Sequence, residues 1–219
     1  MTCKLNILLV DKHPYIVYAL KNILDTTDFI QYEINFHTAS DCKQAHLKII
    51  EYQFDMTILS LDLNMHADED LYSGEDLGIM IRQHQPTCKI VILTENKQPY
   101  RLNQIFKTIN PEGLLSKLDM DFEKSIFVYK NIIAGNSHIS TTIIQSLHEF
   151  KMKNIQLDEY DKLILLRLSE GIKTIDLKNY IPLSKSAIEK RKQRLKIDLN
   201  VESRKDKDLI TEATRLGIL

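Results

Sequence analysis

The sequence predicts an α/β domain with a doubly wound, five-stranded parallel sheet, followed by an all-helical domain. Strand-length apolar runs alternate with helix-length amphipathic segments as far as about Ala134, which is the pattern of a parallel sheet covered by helices on both faces. After the small, polar segment 134–137, only helix-length patterns follow. A change in charge accompanies this change in pattern.

The charge divides the chain into an acidic and a basic part. Residues 1–150 contain 13 Lys and Arg against 19 Asp and Glu, whereas residues 151–219 contain 16 against 11. A basic region of this kind favours contact with phosphate groups. We expect a first domain over residues 1–134, a linker with a helix over residues 135–155, and a second domain over residues 156–219.

Each element of the first domain follows from its hydrophobic pattern. The predicted strands are Leu5–Val10, Ile34–His37, Met56–Leu61, Lys89–Thr94 and Gly113–Ser116. The predicted helices are Pro14–Leu24, Asp41–Tyr52, Glu75–His84, Arg101–Thr108 and Phe122–Ile133. Right-handed crossovers leave few topologies for such a chain, and ligands bind at the carboxyl ends of the strands.

The second part predicts a helix-turn-helix. Apolar residues at helical spacing and helix-ending residues give helices at Thr141–Lys153, Asp158–Leu168, Thr174–Tyr180, Lys185–Leu199 and Asp206–Leu216. Pro182 prevents the helix before it from continuing, and the Ser184 hydroxyl can cap the next one. A short helix, a turn and a capped basic helix form a helix-turn-helix.

Four polar residues follow strands of the predicted sheet. Asp11, Asp62, Thr94 and Lys117 each stand at or just after the carboxyl end of a strand, where we expect them to converge. Carboxylates, a hydroxyl and an ammonium group together can accept and hold a phosphoryl group.

The segments ILLVDKHP, SLDLNM, VILT and LLSK resemble the receiver domain of two-component response regulators. The resemblance covers about Lys4–Ile133 and implies a flavodoxin-like fold. It implies that Asp62 is the phosphoacceptor, that Thr94 and Lys117 contact or sense the phosphoryl group, and that a sensor histidine kinase is a partner. It also implies a Mg²⁺ site formed by Asp11, Asp62 and Asn64.

The pocket departs from the family pattern. Lys12 stands where receivers have a second acid that binds the metal, so it removes an oxygen ligand and adds like charge. His66, Leu114 and Leu118 replace a proline, the aromatic switch residue and a second proline of the family. These departures weaken the expected magnesium site, and they leave open a fixed receiver in which Lys12 pairs with Asp62.

The position of the acceptor is ambiguous in register. Counting from Asp55 by the family's usual strand length ends on Ser60, two residues before Asp62. We expect Asp62 to be the acceptor because Asp-Leu-Asn-Met has the family's order and because no other acid lies at that strand end.

The second domain resembles the LuxR/NarL-type output domain over about Gln156–Asp208, through LSEGIKTIDLKNYIPLSKSAIEKRKQRLK. By position, Glu189, Lys190 and Gln193 would reach base edges, with Arg191 and Arg194 nearer the DNA backbone. Lys185 completes the expected DNA-binding set. The family usually has lysine at Glu189 and histidine at Arg191, and because glutamate accepts from cytosine N4, the target sequence would differ.

These features predict a cytoplasmic transcription regulator that binds duplex promoter DNA as a homodimer and is not an enzyme. No apolar run is long enough to cross a membrane. A phosphorylation-independent regulator controlled by protein or ligand binding is the main alternative. A carboxylate-based phosphotransferase and a protein-interaction module are two others.

Overall fold

The computed structural model describes residues 3–26, 29–63, 73–152 and 155–219. The chain divides into two compact units, the first comprising Met1–Lys97 and Ile105–Ile144, the second Gln98–Gln104 and Gln145–Leu219. The division after Ile144 lies within the expected linker, and the domain limits given above stay a prediction. No described helix is long and apolar enough to cross a membrane.

Strands and helices alternate through the α/β fold. The strands are β1 (Cys3–Val10), β2 (Tyr32–Ala39), β3 (Met56–Ser60), β4 (Lys89–Thr94), β5 (Gly113–Ser116) and β6 (His138–Ile139). The helices are α1 (Pro14–Leu24), α2 (Cys42–Glu51), α3 (Gly74–His84), α4 (Pro99–Thr108) and α5 (Phe122–Ile133).

The strands form one parallel sheet in the order β2-β1-β3-β4-β5-β6. This confirms the predicted doubly wound parallel sheet, to which the short edge strand β6 is an addition. β6 pairs with the first half of β5, with Gly113 opposite His138 and Leu114 opposite Ile139. Two residues are too few to show strand periodicity, so hydrophobic alternation could not predict this strand.

Close packing fixes the position of the carboxyl end of β3. All five residues of β3 are buried, as are the last four residues of β1 and the last five of β4, as expected for strands covered on both faces. Gly74 begins α3, and a Cβ built on it would lie 2.9 Å from the carbonyl oxygen of Ser60. This approach, which a larger residue would obstruct, fixes the start of α3 against the strand end that carries Ser60.

The helical elements that follow are α6 (Thr141–Met152), α7 (Glu159–Ser169), a 3₁₀ helix (Leu177–Asn179), α8 (Lys185–Asp198) and α9 (Asp206–Leu216). The predicted helix Thr174–Tyr180 was wrong in extent, because only the three residues Leu177–Asn179 within it are helical, and they have 3₁₀ geometry. Such short segments commonly adopt this tighter form.

The second unit has its own core. Most of its buried apolar residues come from α7, the 3₁₀ helix, α8 and α9, among them Ile164, Leu177, Ile188, Leu195 and Leu209. α7 ends where Gly171 adopts a φ of +85°, a conformation that glycine reaches without strain. The helix that carries the basic residues is therefore packed on a folded support.

Candidate functional site

Asp11 and Ser60 lie side by side at the carboxyl edge of the parallel sheet. Val10, the last residue of β1, pairs with Leu59 of β3, so the next residue on each strand is at the same level. Both side chains are buried. Lys117, which follows β5, bridges them: its Nζ donates to Asp11 Oδ2 at 3.0 Å and to Ser60 Oγ at 3.0 Å.

The carboxylate of Asp11 has partners on both oxygens. Oδ1 accepts from the backbone N–H of His13 at 2.8 Å and lies 2.9 Å from His13 Nδ1, while Oδ2 accepts from Lys117. Burial raises the pKa of Asp11, but the hydrogen bonds from His13 and Lys117 outweigh it, and the pKa is lower than the ordinary value. The buried carboxylate is therefore ionised and neutralised within the protein.

Asp62 lies outside this group of three. Its Oδ2 accepts from the backbone N–H of Glu95 at 3.2 Å, and the residue is partly buried. Within the described part of the chain, no hydrogen bond or ion pair joins Lys117 to Asp62. Thr94, which ends β4, is buried, and its Oγ1 accepts from the backbone N–H of Asn96 at 2.9 Å. The four expected residues thus share one edge, but Lys117 contacts Ser60 where Asp62 was expected.

A phosphoacceptor role for Asp62 and a salt bridge between Asp62 and Lys12 stay predictions. Asn64 and His66, which the sequence also singled out, lie outside the described residues. Leu114 is buried within β5, whereas Leu118 is exposed.

The donor set does not fit a magnesium ion. Magnesium requires oxygen ligands in near-octahedral geometry, yet both oxygens of Asp11 already accept hydrogen bonds and an ammonium lies at one of them. Position 12 supplies a second ammonium instead of a carboxylate. Among the described residues, no group of three acidic, histidine or cysteine side chains could hold a metal.

The turn after Lys117 also holds the start of α6, which sequence analysis missed. Asp119 accepts from the backbone N–H of Thr142 at 3.0 Å and from its hydroxyl at 2.5 Å. The Ser140 hydroxyl accepts from the backbone N–H of Ser116 at 3.0 Å. In a sequence, an Asp or Ser beside the start of a helix indicates a cap on that helix. Here the residues of each hydrogen-bonded pair are more than 20 positions apart in the sequence, so no local pattern could predict the pairing.

The basic helix α8 begins as predicted. The Ser184 hydroxyl accepts from the backbone N–H of Ala187 at 3.2 Å. This cap satisfies one of the free N–H groups at the helix start. Ile188 and Leu195 of α8 are buried, so the core fixes which face of α8 points outward.

Two of the expected DNA-binding residues are held by acids of the same unit. Arg191 contacts Asp158 at 2.7 Å and Asp161 at 2.9 Å, and Arg194 contacts the other oxygen of Asp161. Asp161 is fully buried and forms a capping box with Asp158 at the start of α7. The hydrogen bonds to both acids raise the pKa of Arg191. These arginines fasten α8 to α7, which their sequence positions alone did not indicate.

The other four expected residues, Lys185, Glu189, Lys190 and Gln193, are exposed. Their side chains form no hydrogen bond or ion pair with any other residue that the structure describes. The expected set therefore divides into two arginines held within the unit and four side chains open to solvent.

Two further lysines of α8 face inward. Lys192 Nζ lies 2.6 Å from Asp206 Oδ2 and 2.5 Å from the Thr174 hydroxyl, and Lys196 Nζ lies 3.3 Å from Asp206 Oδ1. Burial raises the pKa of Asp206, but the hydrogen bonds from Lys192, Lys196 and Thr174 outweigh it and lower the pKa. Only part of the positive charge of α8 is thus available to an external anion.

Comparison with known proteins gives a family for the first unit. The model of the response regulator receiver domain matches residues 7–119. The transcriptional regulatory protein RcsB of Salmonella typhi is 20% identical over 201 residues, which cover 91% of this chain and 90% of the relative. The transcriptional regulatory protein ComA of Bacillus subtilis (strain 168) is 23% identical over 223 residues, covering 94% and 97%.

Solved structures of RcsB have a similar fold. A structure of the RcsB-DNA complex superposes with a TM-score of 0.66 at 20% identity and covers 97% of this chain and 99% of its own. RcsB from Salmonella enterica serovar Typhimurium, bound to the promoter P1flhDC in the presence of the phosphomimetic BeF3-, gives a TM-score of 0.70 at 16% identity, covering 97% and 98%. At these identities the similarity establishes the fold.

Proposed function

Because this chain belongs to the response regulator receiver domain family over residues 7–119, we propose that it is a DNA-binding response regulator that controls transcription. The observation that carries the proposal is the exposed basic face of α8, capped by Ser184 and fixed to α7 by Arg191 and Arg194. The relatives RcsB and ComA are transcriptional regulatory proteins, and RcsB has been solved bound to DNA.

The four exposed residues have two different roles in DNA binding. Lys185 and Lys190 supply charge to phosphates, a role that for Lys190 replaces the base contact expected from its position, and each phosphate contact releases condensed counterions, which makes affinity fall with salt. Glu189 and Gln193 are one turn apart on α8 and can reach base edges, where glutamate accepts from cytosine N4 and glutamine pairs with adenine. Arg191 and Arg194 hold the helix at the angle from which the others reach the groove.

A second copy of the chain would supply a second α8. RcsB has been solved as two dimers bound to two parallel DNAs, and a two-fold dimer places two recognition helices about one helical turn of DNA apart. We propose that this chain also binds promoter DNA as a homodimer. Sedimentation of the chain with and without duplex tests this, and a single copy per duplex at saturation would contradict it.

The test of DNA binding is a salt titration with a short nonspecific duplex. The double variant Lys185→Ala/Lys190→Ala should bind more weakly than the unaltered chain at every salt concentration. The slope of log K against log salt should become shallower by about 2, because two phosphate contacts are lost.

The matched control is Lys4→Ala/Lys124→Ala. It removes the same charge from two exposed lysines of the first unit, whose partners are surface acids, and it should leave both affinity and slope unchanged. Equal weakening in the two double variants would show that only the net charge of the chain matters, and DNA binding could then no longer be assigned to α8. Failure of the unaltered chain to bind duplex at low salt would refute DNA binding itself.

A further inference from the structure

Ser60 holds the position at the edge of the sheet that Lys117 contacts. It is the last residue of β3, is 1% exposed, and lies level with Asp11 on the neighbouring strand. Its hydroxyl accepts from the Lys117 ammonium at 3.0 Å. A phosphorylated side chain at this position would have that ammonium beside its phosphoryl oxygens. A serine hydroxyl, however, is uncharged, so it is a poor magnesium ligand and a weaker nucleophile than a carboxylate towards an acyl phosphate or a phosphoramidate.

Asp62, two residues further on, lacks this arrangement. Its Oδ2 accepts from the backbone N–H of Glu95 at 3.2 Å, and it forms no ion pair with Lys117 within the described residues. Transfer to a carboxylate builds negative charge that metal ions and ammonium groups normally stabilise. The ammonium best placed to do so is engaged with Asp11 and Ser60 instead.

The Lys117 ammonium also neutralises the charge of Asp11, as a bound metal ion would. A buried carboxylate must be neutralised, and Lys117, with 11% of its side chain exposed, lies 3.0 Å from Asp11 Oδ2. Both oxygens of Asp11 already accept hydrogen bonds, from His13 and from Lys117. A magnesium ion at this carboxylate would lie beside the Lys117 ammonium, which repels it, and position 12 provides no second acid to offset that repulsion.

We propose that Ser60 occupies the phosphoacceptor position and that Lys117, by bridging Ser60 and Asp11, replaces both the metal and the phosphoryl group. The pocket is then a permanently neutralised site that neither binds magnesium nor takes a phosphoryl group on Asp62. This deepens the proposed function by assigning its regulation: the receiver unit stays in one state, and control comes from a bound partner or from the amount of protein.

The test compares four full-length chains exposed to acetyl phosphate with and without magnesium: the unaltered chain, Lys12→Asp, Ser60→Asp and Ser60→Asp/Lys12→Asp. Intact mass and peptide mapping report phosphorylation, and calorimetric titration with MgCl₂ alone reports metal binding. The unaltered chain and Lys12→Asp should neither gain a phosphoryl group nor bind magnesium. The double variant should bind magnesium and gain one phosphoryl group at position 60, while Ser60→Asp alone should gain less than the double variant.

Each outcome bears on the proposal. Phosphorylation of Asp62 in the unaltered chain would overturn the proposal, because Asp62 would then be the acceptor. Phosphorylation of Asp62 in Lys12→Asp would overturn it too, because the unaltered pocket would then lack only a metal ligand. A folded double variant that gains no phosphoryl group at position 60 would overturn the assignment of that position. DNA titration of the same four chains is independent of these outcomes, so failure of this proposal and failure of DNA binding can be told apart.

Discussion

Asp11 in the first unit and Asp161 in the second are both almost completely buried, but different cations neutralise them. Asp11 has one ammonium, from Lys117, and also accepts a hydrogen bond from the backbone N–H of His13. Asp161 has two guanidinium groups, from Arg191 and Arg194. The same requirement, that a buried carboxylate be paired, thus fixes a pocket at a sheet edge in one unit and the orientation of a helix in the other.

Lys117 was expected at a phosphoryl group and the two arginines were expected at DNA, and in the structure each of them contacts a buried acid of its own unit. Removing the cation from such a pair is costly because the acid remains buried without a counterion. The size of that cost should depend on how many partners the acid retains.

The largest effect is expected for Arg191→Met/Arg194→Met. Both cations of Asp161 are lost and the acid, which is 0% exposed, is left buried, so the second unit should lose about 3–5 kcal/mol of stability. Urea unfolding of the full chain without DNA, followed by far-UV circular dichroism, measures it.

The matched control for the arginines is Lys185→Met/Lys190→Met. It removes the same charge from exposed positions of the same helix and should change stability by less than about 0.5 kcal/mol. An equal loss in both double variants would mean that the ion pairs with Asp161 contribute nothing specific.

A smaller effect is expected for Lys117→Met. Asp11 keeps two contacts from His13, through the backbone N–H and the ring, whereas Asp161 without its arginines keeps, among the described residues, only the backbone N–H of Asp158. The loss for Lys117→Met should therefore be about 2–3 kcal/mol at neutral pH, at or below the lower end of the range for a broken buried pair. The exposed lysine variant Lys124→Met, whose acid partner is at the surface, should be near neutral. A loss from Lys117→Met that exceeded that of the arginine pair would show that the cost does not depend on the partners that the acid retains.

The same variant predicts a pH dependence. In the unaltered chain the folded pKa of Asp11 is below the ordinary value of 3.8, so its contribution to stability is present above that value and is lost as pH falls through the folded pKa. Without Lys117 the folded pKa should rise, because burial then dominates. The stability difference between the two chains should therefore shrink as pH is lowered from 7 towards 4, and unfolding curves across that range measure it. A difference independent of pH would show that Lys117 acts through packing alone.

Sequence patterns predicted most of the fold because its elements obey local rules. Lys89–Thr94 and Gly113–Ser116 are strands with the predicted limits, and Ser184 caps α8 as predicted. The contacts among the residues of the site could not be predicted in the same way, because the partners are distant in sequence. The strand register that places Ser60 level with Asp11 is a tertiary property that local sequence order does not reveal.

The smallest effect is expected for Thr142→Val at the start of α6. The substitution keeps the shape of the side chain and the backbone N–H that donates to Asp119, but it removes the hydroxyl that donates at 2.5 Å. One hydrogen bond to a partly exposed carboxylate should cost about 1 kcal/mol. The Thr142 hydrogen bond also lowers the pKa of Asp119, so that pKa should rise in the variant, which carboxyl NMR titration measures. Thr211→Val, which removes an exposed hydroxyl bonded only to the carbonyl of Lys207 within α9, serves as the control. If stability fell while the pKa of Asp119 stayed unchanged, the loss would come from the helix start itself and not from its attachment to the turn that follows Lys117.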